Sequence, residues 1–490
     1  MRRLIATLLV FGTTHLAQAQ GAASGPVLTL EDAIRLAVRN NPQFLQSGSN
    51  RTRAAAALRA AQGQLLPSVR TSFGSSFREG RPQFFAGQSF GSNSDVLSSS
   101  ADLGVDLTIS AATWMARRQQ RANLDASESD VTNAEATLRS TVITQYLNVL
   151  QSQSRATLQD TLLRSTQAQL ELARARQQVG AATTLDVRRA EVAVGQQQVA
   201  VLRERNTVEV EKLRLFQQLG VEQPAGVVLS SQFALEEPTV QLESMLDQAR
   251  RGNPALTALR SRERASAIGV SSARSSYFPS LSFSSGVSGF SQQLRDIDGS
   301  ISSARGGALA QQRSCVSQDS LRRGAGLPSI LQQCAAFVFT DAQAASIRDA
   351  NAQFPLKMTR SPLQFSAQVS LPIFDGFTRE QRVQEASASR NDARYRVREQ
   401  ELKLTADVTS AYRNLTTAYQ TVRLQEQNSV TAREALALAQ ERFRVGANTF
   451  VDVTQARGDY ERAETDRINA IYDYHKAFAA LEAAVGRPLR

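Results

Sequence analysis

Two short segments hold the residues whose types and spacing could act together. VGAATTLDV runs from Val179 to Val187, and VGANTFVDV from Val445 to Val453, 266 residues later. Each places a glycine, Gly180 or Gly446, where a helical pattern breaks, and an aspartate, Asp186 or Asp452, six residues on. Glycine accepts the positive φ that ends a helix, and a carboxylate in the first turn of the next helix faces the positive end of its dipole. The chemistry on offer is hydrogen bonding and surface contact, not bond making. Plain helix capping and contact with a partner both fit the pattern.

No catalytic constellation competes with these turns. His475 is the one histidine beyond residue 20, no phosphate loop occurs, and the acids lie along helical stretches without a pocket pattern. No His/Cys/acid cluster has metal-ligand spacing. We expect no enzyme, no metal and no cofactor. Cys315 and Cys334 would close a disulfide in an oxidising compartment, worth roughly 3 kcal/mol in the chain-entropy description; the alternative is that both are free.

Positioning two such turns takes long elements, and the sequence supplies them twice. LEDAIRLAVRNNP (Leu30 to Pro42) matches LESMLDQARRGNP (Leu242 to Pro254), and LLPSVRTSF around Pro67 matches YFPSLSFSS around Pro279, both at an offset of 212. The turns match at 266, as do Gly220 and Gly486, so the second copy carries extra sequence, placed at 291–362. The chain divides into a first repeat, 20–236, and a second, 237–490.

In each repeat a helical stretch, about Leu30 to Gln64 or Leu242 to Arg274, precedes two alternating runs. Val69, Thr71, Phe73 and Phe77 alternate with Arg70, Ser72, Gly74 and Ser76, and Leu103, Val105, Leu107 and Ile109 with Asp102, Gly104, Asp106 and Thr108. Leu281, Phe283 and Val287 alternate with serines, and Leu363, Phe365, Ala367, Val369, Leu371 and Ile373 with Gln and Ser. That is the period of a strand with one apolar face, and it predicts strands at about 68–77, 102–110, 280–290 and 362–374. Helices without Gly or Pro follow, about Thr113 to Gln178 and Phe377 to Arg444, each on the order of 100 Å long at the α-helical rise. Shorter helices return past the tip turns 179–187 and 445–453. In the last, Ala456, Ala463, Ala470 and Ala477 recur at the spacing of a coiled-coil seam.

Of 490 residues only 42% are apolar and 6% aromatic, a thin supply for large globular cores. MRRLIATLLVFGTTHLAQAQ has the layout of a secretory signal, 1–19, with the mature chain expected to begin at Gln20 and no cysteine there for a lipid anchor. No later stretch approaches the roughly 20 apolar residues of a membrane helix, so a membrane crossing must use strands. Four strands cannot close a barrel, and bilayer barrels need at least about eight; three copies supply twelve. Basic residues outnumber acidic ones, 56 to 45, but the arginines mix with Asp, Glu and Gln along helices. That is the pattern of a solvated face, not of a nucleic-acid patch.

In these residues the chain resembles the TolC-type outer-membrane efflux family. The carriers are LTLEDAIRLAVRNNP and its second copy, the LLPSV and YFPSL strand entries, SLPIFDGF from Ser370 to Phe377, and the two VGA turns. SAATWM, Ser110 to Met115, departs from the corner that PIFDGF makes in the second copy. The resemblance implies a mainly α chain with a membrane β-barrel: two tandem repeats, each a strand pair plus very long coiled-coil helices, in a homotrimer that forms a twelve-stranded barrel and a periplasmic α-helical tunnel. It implies an exit duct of a tripartite efflux or type I secretion system, placed in the outer membrane with a large periplasmic part. Its partners would be outer-membrane lipid, a periplasmic adaptor and an inner-membrane pump of the RND or ABC type. The adaptor would meet the tips through Val179, Gly180, Ala181, Leu185 and Asp186 and through Val445, Gly446, Ala447, Val451 and Asp452. Asp452 matches the first carboxylate of an acidic aperture, while Gln455 replaces the second. Phe443 and Asn448 stand where some members carry a Tyr and an Arg, which implies a closed tip held by fewer polar ties. The 291–362 insertion reads as an extracellular loop, flexible around Ser303 to Gly307. The rival architecture is a fibrous trimeric surface protein without channel activity. Drug, metal and protein substrates all stay open.

Overall fold

A computed structural model describes residues 27–80, 82–85, 88–92, 95–229, 233–239, 241–355 and 357–489. The expected signal, 1–19, lies outside them. In chain order the elements are β1 (Val27–Leu28), α1 (Leu30–Asn40), α2 (Pro42–Gly63), β2 (Ser68–Arg78), β3 (Pro82–Phe85), β4 (Gln88–Ser92) and β5 (Val96–Ser110). Then come α3 (Ala111–Gln178), α4 (Thr184–Leu219), β6 (Val228–Leu229), α5 (Leu242–Gly252), α6 (Pro254–Arg274) and β7 (Ser280–Leu294). The remainder is α7 (Ile297–Gly324), α8 (Leu331–Cys334), α9 (Asp341–Ala352), β8 (Thr359–Arg360), β9 (Gln364–Ser370), α10 (Thr378–Arg444) and α11 (Phe450–Val485). The chain is mainly helical and divides into two compact units, 1–55 with 122–267 and 388–490, and 56–121 with 268–387.

The helical unit is built around a doubled clasp. The helix expected over Leu30 to Gln64 is two helices, because Asn41 takes an extended backbone and Pro42 opens α2, where its missing N–H costs nothing. Asn41 Oδ1 accepts from the Phe44 amide (3.0 Å) while its Nδ2 donates to the Gln218 carbonyl (2.8 Å) at the end of α4. Asn253 repeats the arrangement, accepting from Leu256 N (3.1 Å) and donating to the Ala484 carbonyl (2.9 Å) at the end of α11. It likewise divides the predicted Leu242 to Arg274 helix into α5 and α6. Gly220 (φ 73°) and Gly486 (φ 89°) end the two returning helices against these clasps; a Cβ on Gly220 would lie 2.4 Å from the Asn40 carbonyl oxygen. One core gathers Ala33, Ala37, Val142, Tyr146, Leu215 and Leu219, a second Leu256, Leu404, Val408, Leu415, Tyr474 and Leu481.

Farther along, the alanine seam is only part of what holds α11. Of its four alanines only Ala470 is fully buried. Polar contacts to α3 supplement it: Arg457 Nη1 donates to Thr166 Oγ1 (3.0 Å), Gln159 Nε2 to Glu461 Oε1 (3.1 Å), and Gln151 Nε2 to Asn469 Oδ1 (3.0 Å).

The second unit holds an antiparallel sheet in the order β2-β5-β7-β9, with β8 also on β7. The strands differ from expectation in length: β5 and β7 run to 15 residues each, and β9 stops at Ser370. Pro372 cannot donate to a ladder, and the chain turns there. A small β3–β4 pair, unpredicted, completes the β2–β5 connection. The expected flexible segment Ser303 to Gly307 is wrong in kind, since it lies inside α7. Its serines and glycines read as loop, but Asp296 caps the helix by accepting from Asp298 N (3.2 Å) and Gly299 N (3.3 Å), and a Cys315–Cys334 disulfide ties α7 to α8.

Candidate functional site: paired tip turns and a two-faced sheet

Each VGA turn is a closed hydrogen-bonded unit. Gly180 (φ 71°) donates to the Gln177 carbonyl (3.0 Å) and Ala181 to that of Arg176 (2.7 Å). Gly446 (φ 80°) and Ala447 repeat this toward Phe443 (3.1 Å) and Arg442 (2.8 Å). This six-to-one and five-to-two pair satisfies carbonyls that a helix end leaves open. The next helix begins with a reciprocal box: Asp186 N donates to Thr183 Oγ1 (3.2 Å), and the Asp186 carboxylate accepts from Thr183 N (3.0 Å). Thr449 and Asp452 form the same box at 3.3 and 2.9 Å. Hydroxyl and amide donors from Thr183 hold Asp186 below the ordinary carboxylate range, and the Thr449 amide and hydroxyl do the same for Asp452. Both aspartates are therefore charged and already employed as caps.

The two turns are joined. Beneath them Leu170, Ala173, Val187, Ala190, Ala439, Phe443, Phe450 and Val453 form one apolar cluster. Arg176 Nη1 donates to the Phe443 carbonyl (2.6 Å), Nη2 to the Ala181 carbonyl (3.2 Å), and the guanidinium lies 4.7 Å from the Phe443 ring centroid. The sequence implied fewer polar ties at the tip from Phe443 and Asn448 alone and did not reveal this one from Arg176. The available signal was repetition: Arg176 and Arg442 answer each other at the same offset as the glycines. Val179, Leu185, Val445 and Val451 remain exposed at the tip. A groove of about 490 Å³ is lined by Leu185, Val192, Phe450, Val451 and Gln455 with arginines beside them. Gln455 Nε2 donates to Asp459 (3.3 Å).

In the other unit, register fixes which side chains share a face, because directly opposed residues point the same way. Val69 faces Val105, Leu103 faces Val287, Leu107 faces Phe283, and Leu281 faces Val369. These odd-numbered positions make one apolar face, and its residues are open: Phe73 is 79% exposed, Phe365 71% and Val369 69%. The even-numbered face is polar and concave, enclosing about 570 Å³ lined by Arg70, Ser72, Asp102, Ser284, Gln364 and Ser366 among others. Arg70 pairs with Asp106 (3.1 Å), Ser72 donates to Asp102 (3.2 Å), and Ser284 meets Ser366 (2.6 Å).

Where strands meet helices, exposed Trp114, Tyr277, Phe278, Phe374 and Phe377 collect, a feature the sequence reading did not single out. Arg379 holds the PIFDGF corner by pairing with Asp375 (2.9 Å), donating to the carbonyls of Pro372 (2.7 Å) and Ile373 (3.2 Å), and covering the Tyr277 ring. The departing SAATWM corner uses another device, in which Ser110 and Thr113 cap each other's amides at 3.1 and 3.2 Å.

The outer membrane efflux protein profile matches residues 33–221 and 342–487, most of the chain. The chain belongs to the outer membrane efflux protein family. It is thus a bacterial outer-membrane protein with an efflux channel's architecture. It is 30% identical over 280 residues to the pyoverdine export outer membrane protein OpmQ of Pseudomonas putida, a match covering 54% of this chain and 58% of that relative. Among solved structures it shares the fold of the CmeC outer membrane channel of Campylobacter jejuni, with a TM-score of 0.69 at 16% identity over 93% of this chain and 85% of that one. The outer membrane protein VceC of Vibrio cholerae gives 0.65 at 14% identity over 94% and 97%.

Proposed function

We propose that this efflux protein is the exit duct of a tripartite efflux or type I secretion assembly, passively conducting substrates out of the cell. Three copies join β9 of one to β2 of the next and so close twelve strands around a water-filled lumen. The observation that carries this reading is the sheet itself. Among the described residues neither β2 nor β9 has a second partner, and the sheet's apolar side chains face outward uncovered. In water both features are liabilities. In a bilayer, closure pairs every backbone group and lipid covers the apolar face. The aromatic residues at the strand–helix junction suit a membrane interface.

The two repeats, 20–236 and 237–490, then give six related tips per trimer. Val179, Gly180, Ala181, Leu185 and Asp186, with Val445, Gly446, Ala447, Val451 and Asp452, meet a periplasmic adaptor, which links the duct to an RND or ABC pump. Asp452 and Gln455 lie at the aperture. Export of pyoverdine, which OpmQ's name records, is one export that such a duct serves.

Purified protein reconstituted in planar bilayers, with its mass measured by light scattering, tests the reading. A trimer mass with stepwise conductance is expected; a monodisperse monomer that never conducts would end it.

A further inference from the structure

The insertion between β7 and β9 carries features that the duct does not use. Residues 297–341 lie outside the family match, yet they form a built structure. Asp319 is buried, accepts from the Ile330 amide (2.6 Å) and Ser329 Oγ (2.8 Å), and pairs with Arg323 Nε (3.1 Å), one turn along α7 from the disulfide's Cys315. Asn351 then clasps Leu294 at the end of β7, accepting from its amide (2.7 Å) and donating to its carbonyl (2.9 Å).

The returning segment settles on one particular side of the sheet. Ser99 Oγ donates to the Pro355 carbonyl (3.5 Å), and a Cβ on Gly289 would meet Met358 at 3.1 Å. Ser99 and Gly289 both belong to the apolar, odd-numbered face. Arg360 joins them: β8 pairs it with Gly289, whereas β9 pairs Gln364 with Gly286, so one extra residue between the strands reverses the parity. An arginine thereby stands at the far rim of the apolar face, with exposed Lys357 three residues before it. Within the insertion Arg305 and Arg348 pair with Asp341 and Asp298. Exposed Arg313, Lys357 and Arg360 pair with no carboxylate among the described residues. The same insertion carries exposed leucines: Leu321 at 73%, Leu327 and Leu331.

We propose that this insertion and rim form a contact for phosphorylated lipid headgroups of the outer leaflet, the leucines entering the interface and Arg313, Lys357 and Arg360 meeting the phosphates. Apolar side chains together with unpaired cations are the composition of an interfacial anchor, and here Arg360 lies on the face that the proposed function turns toward lipid. The inference rests on that orientation.

Single tryptophans separate the two. In a Trp114→Phe background, Phe73→Trp reports the apolar strand face and Leu321→Trp the insertion, each read by brominated-lipid quenching in phosphatidylcholine vesicles with increasing phosphatidylglycerol. Phe73→Trp should be quenched at every composition. Leu321→Trp should be quenched and shifted to the blue as the anionic fraction rises. Adding Lys357→Ser and Arg360→Ser should move that titration midpoint by roughly fivefold for each cation removed. Quenching of Phe73→Trp with no response at Leu321→Trp overturns the lipid contact and leaves the duct standing. A midpoint unmoved by the serine substitutions overturns the role of the cations. Failure to quench Phe73→Trp overturns the lipid-facing orientation and this inference with it.

Discussion

Arg176, in the last turn of α3, spans the two tip turns by donating to the Phe443 carbonyl while its guanidinium covers the Phe443 ring. One side chain therefore couples the 179–187 turn to the 445–453 turn. A charge-assisted hydrogen bond and a cation–π contact at a partly exposed site together contribute on the order of 1–2 kcal/mol. Arg176→Ala should raise amide exchange over 442–448 about tenfold, and the reconstituted channel should conduct more. Arg176→Lys, which keeps the charge but not the fork, should fall between. Equal exchange in all three proteins would show that Arg176 is not the tie.

Three glycines with positive φ, Gly180, Gly220 and Gly486, divide into two kinds. Gly180 meets open space, so Gly180→Ala should cost only the backbone strain of a left-handed alanine, about 1 kcal/mol. At Gly220 and Gly486 a Cβ would lie 2.4 Å from the Asn40 oxygen and 2.6 Å from Pro254 Cδ. Gly220→Ala and Gly486→Ala must also move the backbone that Asn41 and Asn253 clasp. They should lower the thermal midpoint several times further than Gly180→Ala. Comparable shifts at all three would mean that the clasps yield easily.

Acid should loosen the tips at a defined point. Asp186 and Asp452 have folded-state pKa values below their unfolded values, so their stabilising contribution is complete above the unfolded value, roughly 3.9 for aspartate, and is lost as pH falls through the folded one. Exchange at the tips, corrected for its intrinsic pH dependence, should stay level from pH 7 to about 5 and lose protection below about 4. Asp186→Asn with Asp452→Asn should abolish that acid step.

The helices and strands were legible because their periods are repeated, 3.6 residues over α3 and α10 and two over β2, β5, β7 and β9. The tip turns were legible as helix ends because glycine followed by Thr-x-x-Asp is a local signal. What escaped depends on partners distant in sequence. Asn41 breaks a helical pattern because Gln218 waits for its amide, and Arg176 crosses to a turn 267 residues away. The α7 helix hides in a Ser/Gly-rich stretch because its supports, Cys334 and Ile330, belong to a later segment. Composition alone could not supply those pairings.

The two faces of β9 give the most direct test of orientation. Val369 lies on the apolar face opposite Leu281, and Gln368 on the polar face opposite Ser282. An arginine facing lipid costs about 2–4 kcal/mol near the midplane of a bilayer barrel and little at its edges, and three copies multiply the penalty. Val369→Arg should sharply reduce heat-modifiable trimer in outer-membrane fractions. Gln368→Arg should assemble normally and shift the reversal potential of the reconstituted channel toward anions, since its charge would enter the lumen. If the two variants assembled equally well, alternation along β9 would carry no information about where the membrane lies, and the sheet's exposed apolar face would need another cover.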